Sequence, residues 1–140
     1  MVDICWEQLH RSAIEVRQNA YAPYSHFLVG AAGLVDDGRI VVGCNIENAS
    51  YGLTLCAECG LVSHLMATGG GCLVAVVCVD SQDNYLAPCG RCRQVLLEHG
   101  GRELQIMTPI GPLSITELLP WSFGPEDLDR IGGLKANPKN

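Results

Sequence analysis

Two cysteine-bearing segments constrain this chain more than any other feature: Cys56-Ala57-Glu58 and, well down the chain, Pro88-Cys89-Gly90-Arg91-Cys92. Cys89 and Cys92 stand three apart, a spacing that lets both sulfurs approach one metal ion from the first turn of a helix. Cys56 offers a third sulfur from elsewhere, so a fold in which all three ligate must bring the two segments side by side. Three sulfurs leave the fourth tetrahedral position of a zinc ion open to water, where a structural site would close it. Glu58 would stand beside that water as a carboxylate that is not a ligand. An open zinc with a free carboxylate is equipment for activating water and moving its proton.

The same residues admit other readings. Free cysteines are often small buried hydrophobes. Cys59 also follows Cys56 by three, which makes two Cys-x-x-Cys pairs, the arrangement of a closed, non-catalytic four-cysteine zinc module. Such modules are usually small and often basic, whereas this chain has 140 residues and a formal net charge of −6. The closed arrangement also leaves Glu58 without a task. Thiol–disulfide exchange needs a thioredoxin-like setting and explains neither the second pair nor Glu58. Taken alone, Glu58 is an ordinary solvated helix residue.

Length predicts one domain over residues 1–130, followed by a flexible polar tail at 131–140. The chain is 48% hydrophobic and 17% charged, the balance of a globular protein. Its negative charge argues against a nucleic-acid partner, which needs clustered Lys and Arg; Arg91 and Arg93 are a small basic pair inside the cysteine motif. No apolar run approaches the roughly 20 residues that span a bilayer, and the first residues carry no secretory pattern. The eight cysteines are therefore expected to be free thiols and metal ligands in a cytoplasmic protein, with no membrane partner.

Trp6, Leu9, Ala13 and Val16 recur at helical spacing, which predicts an amphipathic helix over 4–19. Leu28 to Val35 and Ile40 to Cys44 flank Asp36-Asp37-Gly38 and predict a hairpin. A helix is expected from Cys56 to Ala67, with Leu61, Val62 and Leu65 inward, closed by Gly69-Gly70-Gly71. Leu73 to Val79 suits a fully buried strand. Pro88 is expected to open a helix through Leu97, followed by a short strand at Glu103 to Met107 and a helical turn at Thr116 to Leu119. Strand, helix and strand in succession imply a parallel pair. With the hairpin, this predicts an α/β fold: a three-layer α/β/α sandwich on a mixed sheet, with both cysteine clusters at helix N-termini.

Five segments, in order, carry a family resemblance: Pro23 to Ala32, Gly43 to Tyr51, Cys56-Ala57-Glu58, Pro88 to Gln94 and Glu117 to Phe123. The chain resembles the small zinc-dependent cytidine deaminases of the three-cysteine, homotetrameric type, over about residues 20–128. The resemblance implies hydrolysis of free cytidine and 2′-deoxycytidine to uridine and 2′-deoxyuridine plus ammonia, a step of pyrimidine salvage. A related aminopyrimidine nucleoside is the alternative substrate. It implies zinc on Cys56, Cys89 and Cys92, with a zinc-activated water and Glu58 as proton shuttle. It further implies that Phe27 stacks on the pyrimidine, that Asn45 and Glu47 bind the ribose, and that the Ala57 backbone recognises the base. By the same resemblance Phe123 reaches a neighbouring subunit's site, so the active sites are shared in a homotetramer. Read without the resemblance, Phe27 is a core residue, Asn45 and Glu47 belong to a loop, and Phe123 is a C-terminal anchor. One departure stands out: many relatives carry arginine directly after the catalytic glutamate, next to the ligand sulfurs, where this chain has Cys59.

Overall fold

The computed structural model describes residues 2–131, in which a five-stranded mixed sheet carries helices on both faces. Helix α1 spans Trp6–Arg17, two residues inside each expected end, and buries Leu9 and Ala13. β1 (Gly30–Val35) and β2 (Ile40–Cys44) form the expected antiparallel hairpin, with Leu34 opposite Ile40 and Gly38 at φ 92° in the turn. A 3-10 turn at Tyr51–Leu53 leads to α2 (Ala57–Ala67), and β3 (Leu73–Val79) follows as the buried central strand. Then come α3 (Gly90–Gly100), β4 (Gln105–Thr108), β5 (Gly111–Ser114), α4 (Ile115–Leu118) and α5 (Pro125–Arg130).

The strand order is β2-β1-β3-β4-β5. Of the sheet's strand pairs among the described residues, only β3 and β4 are parallel, as the strand–helix–strand succession requires. Successive strand residues point to opposite faces. Ala31, Val35, Val76 and Cys78 therefore meet α2 and α3, whereas Ala32, Leu34, Ala75 and Val77 meet α1. β1 is buried at all six positions because helices cover it from both sides. On α2, Leu61 and Leu65 are wholly buried and Val62 is partly so. Burying each leucine stabilises the fold by about 1.5–3 kcal/mol.

Three expectations need correction. Pro88 does not open α3: it precedes Cys89, whose extended backbone (φ −63°, ψ 167°) makes it the N-cap, and the helix begins at Gly90. The helix also runs past Leu97 to Gly100, where Gly101 at φ 68° ends it by a turn that glycine adopts without strain. The turn expected at Thr116–Leu119 is the single turn of α4, one residue earlier, capped by Ser114 with Glu117 closing a capping box. β5 and α5 were not anticipated. The expected 131–140 tail lies, from residue 132 onward, outside the described residues.

Helix α2 is seated unusually deep on β2. A Cβ on Gly43 would lie 2.2 Å from the Ala57 carbonyl oxygen and 2.2 Å from the Leu61 nitrogen, so only glycine admits the helix at this depth. Further along, the His64 Nδ1 accepts the Val42 N–H at 2.9 Å and ties the second half of α2 to the same strand. These two contacts fix the N-terminus of α2, where Cys56, Ala57 and Glu58 sit. Among the described residues no helix is long and apolar enough to cross a membrane.

Candidate active site

Cysteines occupy the N-cap of both helices that meet on this face of the sheet. Cys56 caps α2 and Cys89 caps α3, both with extended backbone. Cys92 follows in the first turn of α3 and is fully buried. The three sulfurs lie within 4.8 Å of one another, and those of Cys56 and Cys89 are 3.9 Å apart. Cys59 does not join them. Its sulfur instead lies 3.9 Å from Nη2 of Arg91, on the neighbouring helix.

The protonation behaviour of this trio tests whether it suits a metal. Burial pushes the Cys89 thiol up, but the Cys92 backbone N–H and the Cys92 and Cys56 thiols outweigh it and bring the group below its ordinary value. Cys56 is pushed up, first by burial and then by Cys89 and Glu58. Cys92 is driven far up by burial, with the charges of Glu58 and Cys56 adding to it. The cluster thus accepts one thiolate and resists the next, as closely spaced acids do. A divalent cation removes that resistance, and the two helix N-termini favour the anionic sulfurs. Three thiols without a carboxylate ligand are a soft donor set that fits zinc.

Glu58 is 5% exposed, yet it lines a cavity of about 220 Å³ together with Cys56, Ala57, Cys89, Asn45 and Thr54. Its Oε1 accepts a hydrogen bond from the Cys78 thiol at 3.2 Å. Ala57 and Glu58 open α2, so their backbone N–H groups have no acceptor within the helix and are available to a ligand. The Asn45 amide bridges the approach: its Oδ1 accepts the Val29 N–H at 2.9 Å and its Nδ2 donates to the Phe27 carbonyl at 2.8 Å.

Glu47 lines an adjoining cavity of about 460 Å³ with Tyr24, Ser25, Tyr51 and Thr54. Thr54 lines both spaces and joins them. The Glu47 carboxylate accepts from the Ser25 hydroxyl and from the backbone N–H groups of Ser25 and Tyr24, and these bonds hold its pKa below the usual value. It thereby pins the turn ahead of Phe27. Phe27 itself is 50% exposed and lines neither cavity; Phe123, 60% exposed, borders a separate depression with Trp121, Arg102 and Arg130. The single chain therefore gathers the three cysteines, Glu58, Ala57 and Asn45, places Glu47 next door, and leaves both phenylalanines on its surface.

Two site residues escaped the sequence reading. Thr54 belongs to no motif, and Cys78 sits inside an apolar run where a buried cysteine reads as one more hydrophobe. The basic pair is sorted by its contacts. Arg93 is committed to the carbonyls of Pro88 and Leu118, at 2.8 and 2.7 Å, whereas Arg91 faces Cys59.

Against known proteins, the family model described as "Cytidine and deoxycytidylate deaminase zinc-binding region" matches residues 4–108. The chain belongs to the cytidine and deoxycytidylate deaminase family. It is 58% identical over 130 residues to the cytidine deaminase of Mycobacterium tuberculosis, covering 93% of this chain and 98% of that protein. The crystal structure of cytidine deaminase from Mycobacterium tuberculosis superposes with a TM-score of 0.85 at 59% identity, over 87% of this chain and 99% of that one. That from Mycobacterium leprae gives 0.83 at 60% identity, over 84% and 99%. The deaminase match takes in all three cysteines, Glu58, Asn45 and Glu47, and ends before Phe123.

Proposed function

We propose that this chain is a zinc-dependent cytidine deaminase that converts cytidine and 2′-deoxycytidine, with water, to uridine and 2′-deoxyuridine plus ammonia. The observation that carries this reading is the meeting of three sulfurs within 4.8 Å with a buried carboxylate on the wall of the same cavity. Cys56, Cys89 and Cys92 hold the zinc. When bound, zinc polarises water and lowers its pKa, which supplies the nucleophile at neutral pH.

Glu58 does the proton work. As oxygen adds to C4 of the base, a Glu58 carboxylate oxygen takes the proton that the water loses and passes it to N3. As the C4–N bond breaks, the carboxylate takes the second proton from the oxygen now on C4, which becomes the carbonyl, and delivers it to the departing nitrogen, which leaves as ammonia. The first-turn N–H groups at Ala57 and Glu58 meet the polar edge of the base. Asn45 and Glu47 bind the ribose from the neighbouring space; each keeps unused hydrogen-bonding capacity beyond the protein contacts that orient it.

Phe27 and Phe123 complete the site by stacking in a homotetramer, Phe123 from an adjacent subunit. Their exposure supports this reading, together with the exposed Tyr24, Tyr51, Leu53 and Trp121. The cysteines among the described residues are all free, which suits a reducing compartment such as the cytoplasm.

The decisive experiment measures ammonia release from cytidine by the purified protein, with zinc counted per chain, beside Glu58→Gln. The expected result is about one zinc per chain in both proteins, with turnover reduced by roughly 10²–10⁴-fold or more in the variant. Near-normal deamination by Glu58→Gln would refute the role of Glu58. Zinc-loaded wild-type protein that releases no ammonia from cytidine would refute the function.

A further inference from the structure

We propose that Cys78 is a positioning residue for Glu58: its S–H donates to Oε1 and holds the carboxylate so that Oε2 faces the reacting atoms. This deepens the deaminase reading and rests on it. Cys78 lies on β3, the central strand, opposite Ala31 of β1, on the face that packs against α2 and α3. It is 1% exposed, so no solvent competes for its thiol, and Glu58 Oε1 lies 3.2 Å away. Burial, and then the charge on Glu58, hold the thiol far above its ordinary pKa, so it meets the carboxylate as a donor. Among the described residues Oε2 has no protein hydrogen bond, while Glu58 lines the cavity.

The arrangement has a physical rationale. A glutamate that shuttles protons must reach two substrate positions in turn without swinging away, and burial alone does not choose its rotamer. A hydrogen bond to one carboxylate oxygen does. A thiol is a weak donor, so it orients the group while leaving the carboxylate basic enough to take a proton. Its strand backbone is fixed on both sides by β1 and β4, so the anchor does not move with α2.

Two substitutions separate positioning from packing. Cys78→Val keeps an apolar side chain suited to a central strand and removes the donor; Cys78→Ser restores a donor at the cost of burying a hydroxyl. Positioning predicts that Cys78→Val loses about 10- to 100-fold in kcat with KM nearly unchanged, while Cys78→Ser retains most of the wild-type kcat. A purely packing role predicts the reverse order. If Cys78→Val does not fold, Cys78→Ala takes its place in the same comparison. Retained kcat without the donor, or a serine variant as slow as the valine one, overturns the proposal.

A readout independent of turnover accompanies these kinetics. The S–H stretching band of Cys78, isolated by subtracting the Cys78→Val infrared spectrum, is expected to shift to higher frequency in Glu58→Ala. An unshifted band overturns the contact even if the protein deaminates cytidine. A shifted band beside a wild-type protein inactive on cytidine keeps the contact and indicts the substrate reading instead.

Discussion

The depth at which α2 sits on β2 sets where the catalytic face lies, and Gly43→Ala tests that directly. The added Cβ would come within 2.2 Å of both the Ala57 carbonyl oxygen and the Leu61 nitrogen, where ordinary contact begins at 3.4 Å. Both neighbours are backbone, so no side chain can rotate away; α2 has to back off by about 1 Å. Gly43 does not occupy the left-handed region, so alanine brings no conformational penalty of its own. Overpacking of this kind costs about 1–3 kcal/mol. Because Ala57 and Glu58 ride on the displaced turn, a misplacement of about 1 Å also costs on the order of 10²-fold in kcat/KM. Gly60→Ala is the matched control. Its Cβ would meet Cys44 O at 3.5 Å, an ordinary contact, and replacing a helical glycine there should stabilise the protein by roughly 0.5–1 kcal/mol. Thermal melting and steady-state deamination of both variants give the comparison. A Gly43→Ala protein as stable and active as the parent would show that the site does not depend on the seating of α2.

Cys59→Ser is expected to keep one zinc per chain and substantial turnover, since three sulfurs cluster without Cys59; zinc loss with unfolding would mean the closed four-cysteine site. Arg91→Gln should weaken zinc retention against a competing chelator by a few-fold and leave melting of the zinc-loaded protein nearly unchanged, because the guanidinium is exposed; unaltered retention would dismiss a charge role. Phe123→Ala should raise the cytidine KM, on the scale of roughly 1–3 kcal/mol for stacking on a base, and the parent should sediment as a tetramer. A fully active monomer would dispose of the shared-site reading.

What the sequence disclosed followed from how strictly each feature is determined by local chemistry. The strand at Leu73–Val79 and the hairpin turn were legible because an unbroken apolar run and Asp-Asp-Gly each permit few structures. β5 was hidden because Gly111-Pro112 reads as a breaker; it forms as an edge strand, where a proline N–H is not required by the sheet. The start of α3 was misplaced because Pro88 and Cys89 compete for the same role, and the cap position went to the sulfur-bearing residue. The meeting of Cys56, Cys89 and Cys92 was legible through spacing, since two cysteines three apart at a helix start face the same side. Cys78 was not, because its role is set by a contact between a strand and a helix. Gly43 was equally silent, because nothing local distinguishes a strand glycine under a helix from any other.

Charge balance ties the cluster to its departure from the family pattern. Three thiolates on a Zn²⁺ ion would leave a net negative centre. Water bound to such a centre would be harder to deprotonate than at a neutral one, so compensation would have to come from nearby. Each helix N-terminus offers about half a positive charge, and Cys56 and Cys89 cap one apiece. With Cys59 in place of the arginine expected from the resemblance, α2 carries no cation beside the sulfurs. The arginine facing that gap comes from α3. Arg93 is turned to the Pro88 and Leu118 carbonyls, whereas Arg91 reaches Cys59 from the neighbouring helix. In this chain the cation beside Cys59 therefore belongs to α3. Its exposed position means that salt screens its contribution.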